Sequence, residues 1–420
     1  MNKLYEKLTL WLLVVLPINY MVFNILLKRI HLIKYLKDFI IIGLILVAIV
    51  TAFTKGQFKV KKKDSVAFLS AVGIGMVVLI RIITSSSIPD SLYTTRLLIV
   101  PLLFYFLYNI KAVSEVQIVK IYRVLFYLCV ILAIWGIFQA FLLGDSFLIK
   151  LNYKGNTGRL SSGFYISGFR GIQRVTSTFA APNIYALFSN SMFLLLISVK
   201  DELNINRKKF ISGILVILLS SILTFSRSGW LGLGIGVLYY VLKNHKISKS
   251  QIKYFLIGGI FLLILTGYII IVNENIYIAF SKLILKTFNR TDASLIGHMD
   301  SFISTMKMIF SNPFGYKWLG YSGPRTRLGI INYNVESSYL LMGLELGIIG
   351  VIFYTTFFIG ILYSKPKNKY TTGIQSAIFT TIPPLFLLPL LEEFEVITFF
   401  FIMISLTNNL GNIKNKYRNL

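Results

Sequence analysis

Long apolar runs separated by short basic segments dominate the chain. Runs at 8–27, 39–54, 65–83, 92–109, 123–143, 183–199, 210–225, 229–242, 254–272, 337–363, 371–391 and 394–408 predict membrane-spanning helices. The expected fold class is therefore an all-α polytopic integral membrane protein with about 12 transmembrane helices. Residues 1–420 form a single transmembrane domain in this reading, with two long connecting segments at 144–182 and 273–336. The short segments "KGQFKVKKK", "IKAVSEVQIVK", "KDELNINRKK", "KNHKISKSQIK" and "SKPKNK" are rich in lysine, as is the tail "KNKYR". With both termini cytoplasmic, the positive-inside rule places all of these inside and the two long segments outside. The basic segment "KRIHLIKYLKD", expected outside, runs against the rule.

The run 210–242 holds one charged residue, Arg227. As a single helix it would be about 50 Å long, well beyond a hydrocarbon core of roughly 30 Å. Both of its flanks are basic, so it is expected to cross twice, with the turn near Arg227 on the outer side. A guanidinium there needs a partner, a wet cavity or an interface.

Composition narrows the class. The chain is 55% hydrophobic, with a mean hydropathy of +0.73, which excludes a soluble protein of this length. Its net charge of +27 is scattered over short loops, which argues against nucleic-acid binding and for orientation in, and attraction to, anionic membrane lipids or substrates. One cysteine, Cys129, excludes an internal disulfide and argues against a cysteine metal site. No small-residue cleavage site precedes Lys28 and Arg29, so the first apolar run is expected to remain as an uncleaved helix.

Four segments occur in order: "TSTFAAPNIYALF" at 176–188, "LTFSRSGWLGL" at 223–233, "GHMDSFISTMKMIFSNPFGYKWLG" at 297–320 and "ESSYLLMGLELGIIG" at 336–350. Together they resemble the O-antigen ligase and polymerase superfamily of bacterial membrane glycosyltransferases. Within it the chain looks most like the polymerases that join repeat units of capsule or exopolysaccharide. The resemblance implies a lipid-dependent (GT-C-like) glycosyltransferase fold and a site on the outer face of the cytoplasmic membrane. It implies undecaprenyl-diphosphate-linked oligosaccharide as substrate, no cofactor and no metal, and a flippase and a chain-length regulator as partners. Two departures from the ligase pattern favour a polymerase: Glu336-Ser337 stands where a His-Asn pair is frequent, and His298 where an Arg is frequent.

Such a reaction sets the chemistry the residues must supply. A diphosphate leaving group gathers negative charge, which arginine forks bind bidentately. Arg227, Arg170, Arg174, Arg290, Arg325 and Arg327 are the candidate substrate-binding cations, with Arg227 the sharpest; snorkelling to lipid head groups is the alternative for it. Arg170 and Arg174 share a face if "GFRGIQR" is helical; otherwise they belong to a solvated basic loop. Asn183, beside Pro182 at a predicted helix start, either bonds to sugar or serves the backbone. The acceptor hydroxyl needs a group to orient it or take its proton. Glu336 and His298 are the catalytic candidates, against a helix cap for Glu336 and polar surface for His298.

Further readings stay two-sided. Residues 295–310 predict an amphipathic helix on the outer membrane surface. Tyr316, Trp318 and Tyr321 suit sugar stacking or an interfacial aromatic belt. Arg81 and Arg96 either line the diphosphate cavity or mark the interface. Glu392, Glu393 and Glu395 either bind a cation or bias a substrate channel or, as favoured, form a solvated cluster, and Glu345 lies deep enough in a helix to require a partner. The competing functions are a ligase that passes the glycan to another acceptor and a lipid-linked oligosaccharide flippase or transporter. A transporter typically keeps charged residues at midplane within repeated halves, whereas here they gather in two loops and no repeat is apparent.

Overall fold

The computed structural model describes residues 2–26, 35–55, 65–110, 113–151, 153, 158–166, 173–243, 293–322, 335–364 and 369–418, with isolated positions between 267 and 285. Among these, secondary structure is helical apart from one isolated antiparallel bridge, Tyr165 to Gln173. The principal helices are α1 (Asn2–Asn19), α2 (Leu36–Lys55), α3 (Ser65–Ile83), α4 (Ile88–Ile110), α5 (Glu115–Phe138) and α6 (Gly144–Lys150). They continue with α7 (Pro182–Ser198), α8 (Arg207–Ile222), α9 (Arg227–Lys243), α10 (Ala293–Ser311), α11 (Ser338–Ser364), α12 (Lys369–Leu387) and α13 (Phe394–Arg418). Every apolar run but 254–272, of which only Gly267 is among the described residues, overlaps one of them.

The chain is a multi-pass membrane protein. By length and composition, Ser65–Ile83, Ile88–Tyr108, Glu115–Lys150 and Ser338–Tyr363 can each cross a membrane, and Pro182–Ser198 and Phe394–Thr407 are shorter apolar helices. The third of these joins α5 to α6 through a π-helical stretch, Gln139–Leu143.

Helix α7 is the organising element. It begins on Pro182 after an extended Ala181, where a missing N–H costs nothing. Almost all of its side chains are buried, as expected for a helix apolar on every side. The run 210–242 does divide into two helices at 223–226, but α8 packs chiefly on α5 and α9 on α12, and both touch α7 more than each other. Asn190 in the middle of α7 fastens both: its Nδ2 donates to Gly229 O at 2.9 Å, and its Oδ1 accepts from Ser221 Oγ.

Close approach fixes the neighbours. A Cβ on Gly236 would sit 1.9 Å from Thr380 Oγ1, and one on Gly232 2.2 Å from Thr380 O, so α9 and α12 lie nearly backbone to backbone. The contacts of Gly232 and Gly236 run antiparallel along α12, which puts the start of α9 level with the end of α12. Helix α11 lies antiparallel to α3, with Gly360 against Ala67, Gly73 against Phe353 and Arg81 reaching Glu345. At Gly347 (φ 73°, ψ −177°) α11 breaks, so 338–346 and the rest of the helix are separate segments.

Candidate functional site

The site grows from the connection between α6 and α7. Arg174 N donates to Phe164 O at 2.8 Å and Val175 N to Leu223 O at 3.1 Å, which strings 173–175 between the first long segment and the α8–α9 turn. Because Gln173 pairs antiparallel with Tyr165, the helical alternative for the basic pair does not hold at Arg174, and Arg170 lies outside the described residues. Asp145 at the start of α6 accepts from Tyr165 Oη (2.6 Å) and Gln173 Nε2 (3.4 Å), tying this paired segment down. Beyond it, Thr176 Oγ1 donates to Gln139 Oε1, Ser177 Oγ to Leu132 O and Thr178 Oγ1 to Pro17 O. Three consecutive hydroxyls therefore pin the chain to α5 and α1 before α7 begins.

Arg174 uses its whole fork. Nε donates to Thr224 O (2.6 Å), one terminal nitrogen to Gly163 O (2.8 Å) and the other to Asn183 Oδ1 (2.5 Å). Arg174 and Asn183, at the start of α7, thus meet the turn leading to Arg227, some fifty residues further along the chain. All three acceptors are neutral, so none cancels the charge. Burial pushes the Arg174 guanidinium down to about 10, and repulsion from nearby Arg227 adds to the shift.

Arg227 is the first residue of α9. Phe225 takes the left-handed conformation (φ 49°), and Ser226 Oγ accepts from Gly229 N at 3.3 Å. A cation at a helix N-terminus is electrostatically opposed, and a second guanidinium beside it more so. Arg174 and Arg227 lie close enough to repel each other at the N-terminus of α9, so positive potential gathers there, an arrangement suited to an anion.

Glu336 lies two residues before α11 and is half-buried, its Oε2 withdrawn from solvent. The capping role belongs to the next residue: Ser337 Oγ accepts from Leu340 N at 3.5 Å, and Ser337 O from Leu341 N at 2.9 Å. Ser338 bonds to the end of α12, its N and Oγ both donating to Leu388 O at 3.1 and 2.7 Å. Since the start of α9 is level with that same end, Glu336 and Arg227 stand at one end of the bundle. Helix α10 forms across 295–310 and packs on α11 through Ile309, whose side chain meets Gly343. It carries His298, the side chain of which is outside the described residues, as are Arg290, Arg325 and Arg327.

Several two-sided readings resolve. Arg81 is buried and donates to two backbone carbonyls, Glu345 O (2.9 Å) and Tyr316 O (3.0 Å), so it holds structure rather than lining a cavity. Arg96 pairs with Asp38 and sits 4.6 Å over the Phe394 ring. Glu395 is no solvated residue: it accepts from Asn19 Nδ2 at 2.9 Å and faces Lys37 at 3.6 Å. Tyr316 and Trp318 both pack edge-on to Tyr321, and Lys317 lies 4.2 Å over the Tyr321 ring, so these rings bind one another. Asn190, Asp145 and Thr224 were not legible as site residues, because each acts through backbone carbonyls or distant side chains. Among the described residues no group of His, Cys, Asp and Glu is placed to hold a metal ion.

Residues 212–355 match the protein-family model described as O-antigen ligase. The match supports the O-antigen ligase/polymerase superfamily, which the four sequence segments resemble. It includes Arg227, Arg290, His298, Arg325, Arg327 and Glu336, and it stops short of Arg170, Arg174 and Asn183. No curated protein matches the chain.

Proposed function

We propose that the protein polymerises undecaprenyl-diphosphate-linked oligosaccharide repeat units on the outer face of the cytoplasmic membrane, into capsular, exo- or O-antigen polysaccharide. The observation that carries this reading is the meeting of Arg174, Asn183 and the Arg227 turn at the bundle end where Glu336 also stands. There the donor diphosphate lies against Arg227 and the outer side of Arg174. Charge that develops as the glycosidic bond breaks meets preorganised guanidinium groups instead of reorganising water.

Glu336 orients the acceptor sugar hydroxyl and receives its proton, with His298 on α10 as the second candidate for that step. The acceptor oxygen bonds to the anomeric carbon, and the electron pair of the broken C–O bond leaves with the lipid diphosphate. Asn183, its amide oxygen given to Arg174, keeps its amide nitrogen as a donor toward sugar. Arg170, Arg290, Arg325 and Arg327 add positive charge on the same outer segments. Membrane lipids surround the bundle, and a flippase and a chain-length regulator are the expected partners. A ligase, as the matched family is described, would use the same cations with a different acceptor; a flippase would carry the same diphosphate, but its charged residues would be expected near midplane within repeated halves.

The test is glycan length in cells carrying Arg227→Lys or Arg227→Ala, with membrane levels of each variant measured. Single lipid-linked units with normal protein abundance and no long polymer are the expected result. Normal polymer in both variants would remove Arg227 from the site. Loss of single units from the outer face would indicate a transporter, and persistence of polymer without transfer to its final acceptor a ligase.

A further inference from the structure

Glu345 is the one carboxylate buried deep in α11, 3% exposed among the described residues, and the proposed chemistry does not touch it. Its bonds all run to one loop. The carboxylate accepts from Gly320 N, from Ser322 N at 3.1 Å and from Ser322 Oγ at 2.8 Å. That loop, 313–322, is wedged against the α11 break. It lies close against Gly347, where a Cβ would meet Pro313 O at 2.3 Å. The break leaves helix groups without intrahelical partners, and the loop supplies two of them: Tyr316 N donates to Leu344 O at 2.7 Å, and Ile348 N to Pro313 O at 2.9 Å. Irregular backbone at this depth is tolerated only when buried in protein that satisfies it. Two more helices close the clamp: Arg81 of α3 holds both Tyr316 O and Glu345 O, and Ser91 Oγ of α4 donates to Leu319 O at 2.9 Å.

The break is not needed to cross the bilayer. From Ile348 to Ser364 the helix already rises about 26 Å, close to a hydrocarbon core of roughly 30 Å. What the break does is redirect 338–346, and Glu336 stands two residues ahead of that segment.

We propose that Glu345 is a positioning residue for transfer: by clamping loop 313–322 into the α11 break, it sets the direction of 338–346 and so where Glu336 stands relative to Arg227. This role rests on the reaction proposed above. Glutamine at 345 keeps the shape but replaces one acceptor oxygen by a donor that faces N–H groups. Glu336 then swings with its segment while the cation site is left in place. Acceptor orientation suffers and donor binding does not.

The experiment uses purified full-length protein and a lipid-diphosphate-linked repeat unit as both donor and acceptor. Glu345→Gln is expected to lower kcat about 10- to 100-fold, the effect of a misplacement near 1 Å, with KM changed little. Ser322→Ala removes one of the three donors and is expected to lower kcat a few-fold in the same direction, which keeps the comparison available if Glu345→Gln folds poorly. In a Glu336→Gln background either change should have little further effect, because both act through that residue. A thiol placed by Leu319→Cys, at a position 0% exposed, should resist maleimide with Glu345 present and react once it is glutamine; the native Cys129 is buried and stays silent. Unchanged kcat, full additivity with Glu336→Gln, or a protected thiol in an inactive Glu345→Gln protein would each overturn the positioning role alone. A wild-type protein that elongates nothing would overturn the reaction and this role with it.

Discussion

Replacing Arg174 by lysine keeps the charge and removes the fork. In the native protein the guanidinium makes three hydrogen bonds, to Thr224 O, Gly163 O and Asn183 Oδ1, which lie in three separate stretches of chain. A lysine ammonium on its flexible stem reaches one of these, so two are lost. Hydrogen bonds to a charged partner contribute about 1.5–3 kcal/mol each, and water entering the vacated positions returns part of that. A net loss of about 3 kcal/mol follows, or roughly 5 °C in Tm by the scaling for large domains. The assay is thermal unfolding of the purified protein in detergent, with and without inorganic diphosphate. Wild type should gain about 2.7 kcal/mol at a diphosphate concentration 100-fold above Kd. Arg174→Lys should melt lower without ligand and gain less from it, because Arg227 and Asn183 are then no longer held together. A variant that melts with the wild type and gains equally from diphosphate would refute the argument that the fork assembles the site.

Other outcomes follow from the same geometry. Gly347→Ala forces a left-handed φ of 73° on a residue with a side chain and drives Cβ to 2.3 Å from Pro313 O; strain of about 1–3 kcal/mol plus the displaced loop should lower both Tm and transfer activity. Gly236→Ala puts Cβ 1.9 Å from Thr380 Oγ1 and 2.9 Å from Ser376 O, and it should destabilise the protein by separating α9 from α12, read as a lower Tm. Asn190→Ala removes the extra bond to Gly229 O and the acceptor of Ser221 Oγ in a buried position; a loss of about 2 kcal/mol is expected in the same measurement. The depressed Arg174 value has a signed consequence. Between about 10 and the ordinary arginine range the unfolded chain binds the extra proton, so the Arg174 contribution to stability rises with pH. Diphosphate affinity should instead fall as pH rises through about 10, and a binding titration there that stays flat would count against Arg174 as part of the anion site.

Helical class and the positions of most helices were legible in the chain because apolar run length is a local property. The turn in 210–242 was legible too, since the length of the run and its basic flanks exclude one helix. Pro182 marked the start of α7, and three of the four segments that resemble the superfamily lie within the residues matched to its family model. Pairing was not local. That α7 separates α8 from α9 depends on Asn190 meeting both, and no spacing in the sequence encodes that meeting. Arg174 read as one of several loop arginines until the tertiary structure showed its fork spanning residues 163, 183 and 224. Glu345 announced a need for a partner, and the partners proved to be the Ser322 hydroxyl and the backbone N–H groups of Gly320 and Ser322, of which the N–H groups carry no side-chain signature. The sequence by itself determined which segments must leave water, because hydrophobic transfer adds up residue by residue. Which charges share a site was decided only by folding, because backbone carbonyls and N–H groups are identical in every residue and acquire a role from where the packed helices put them.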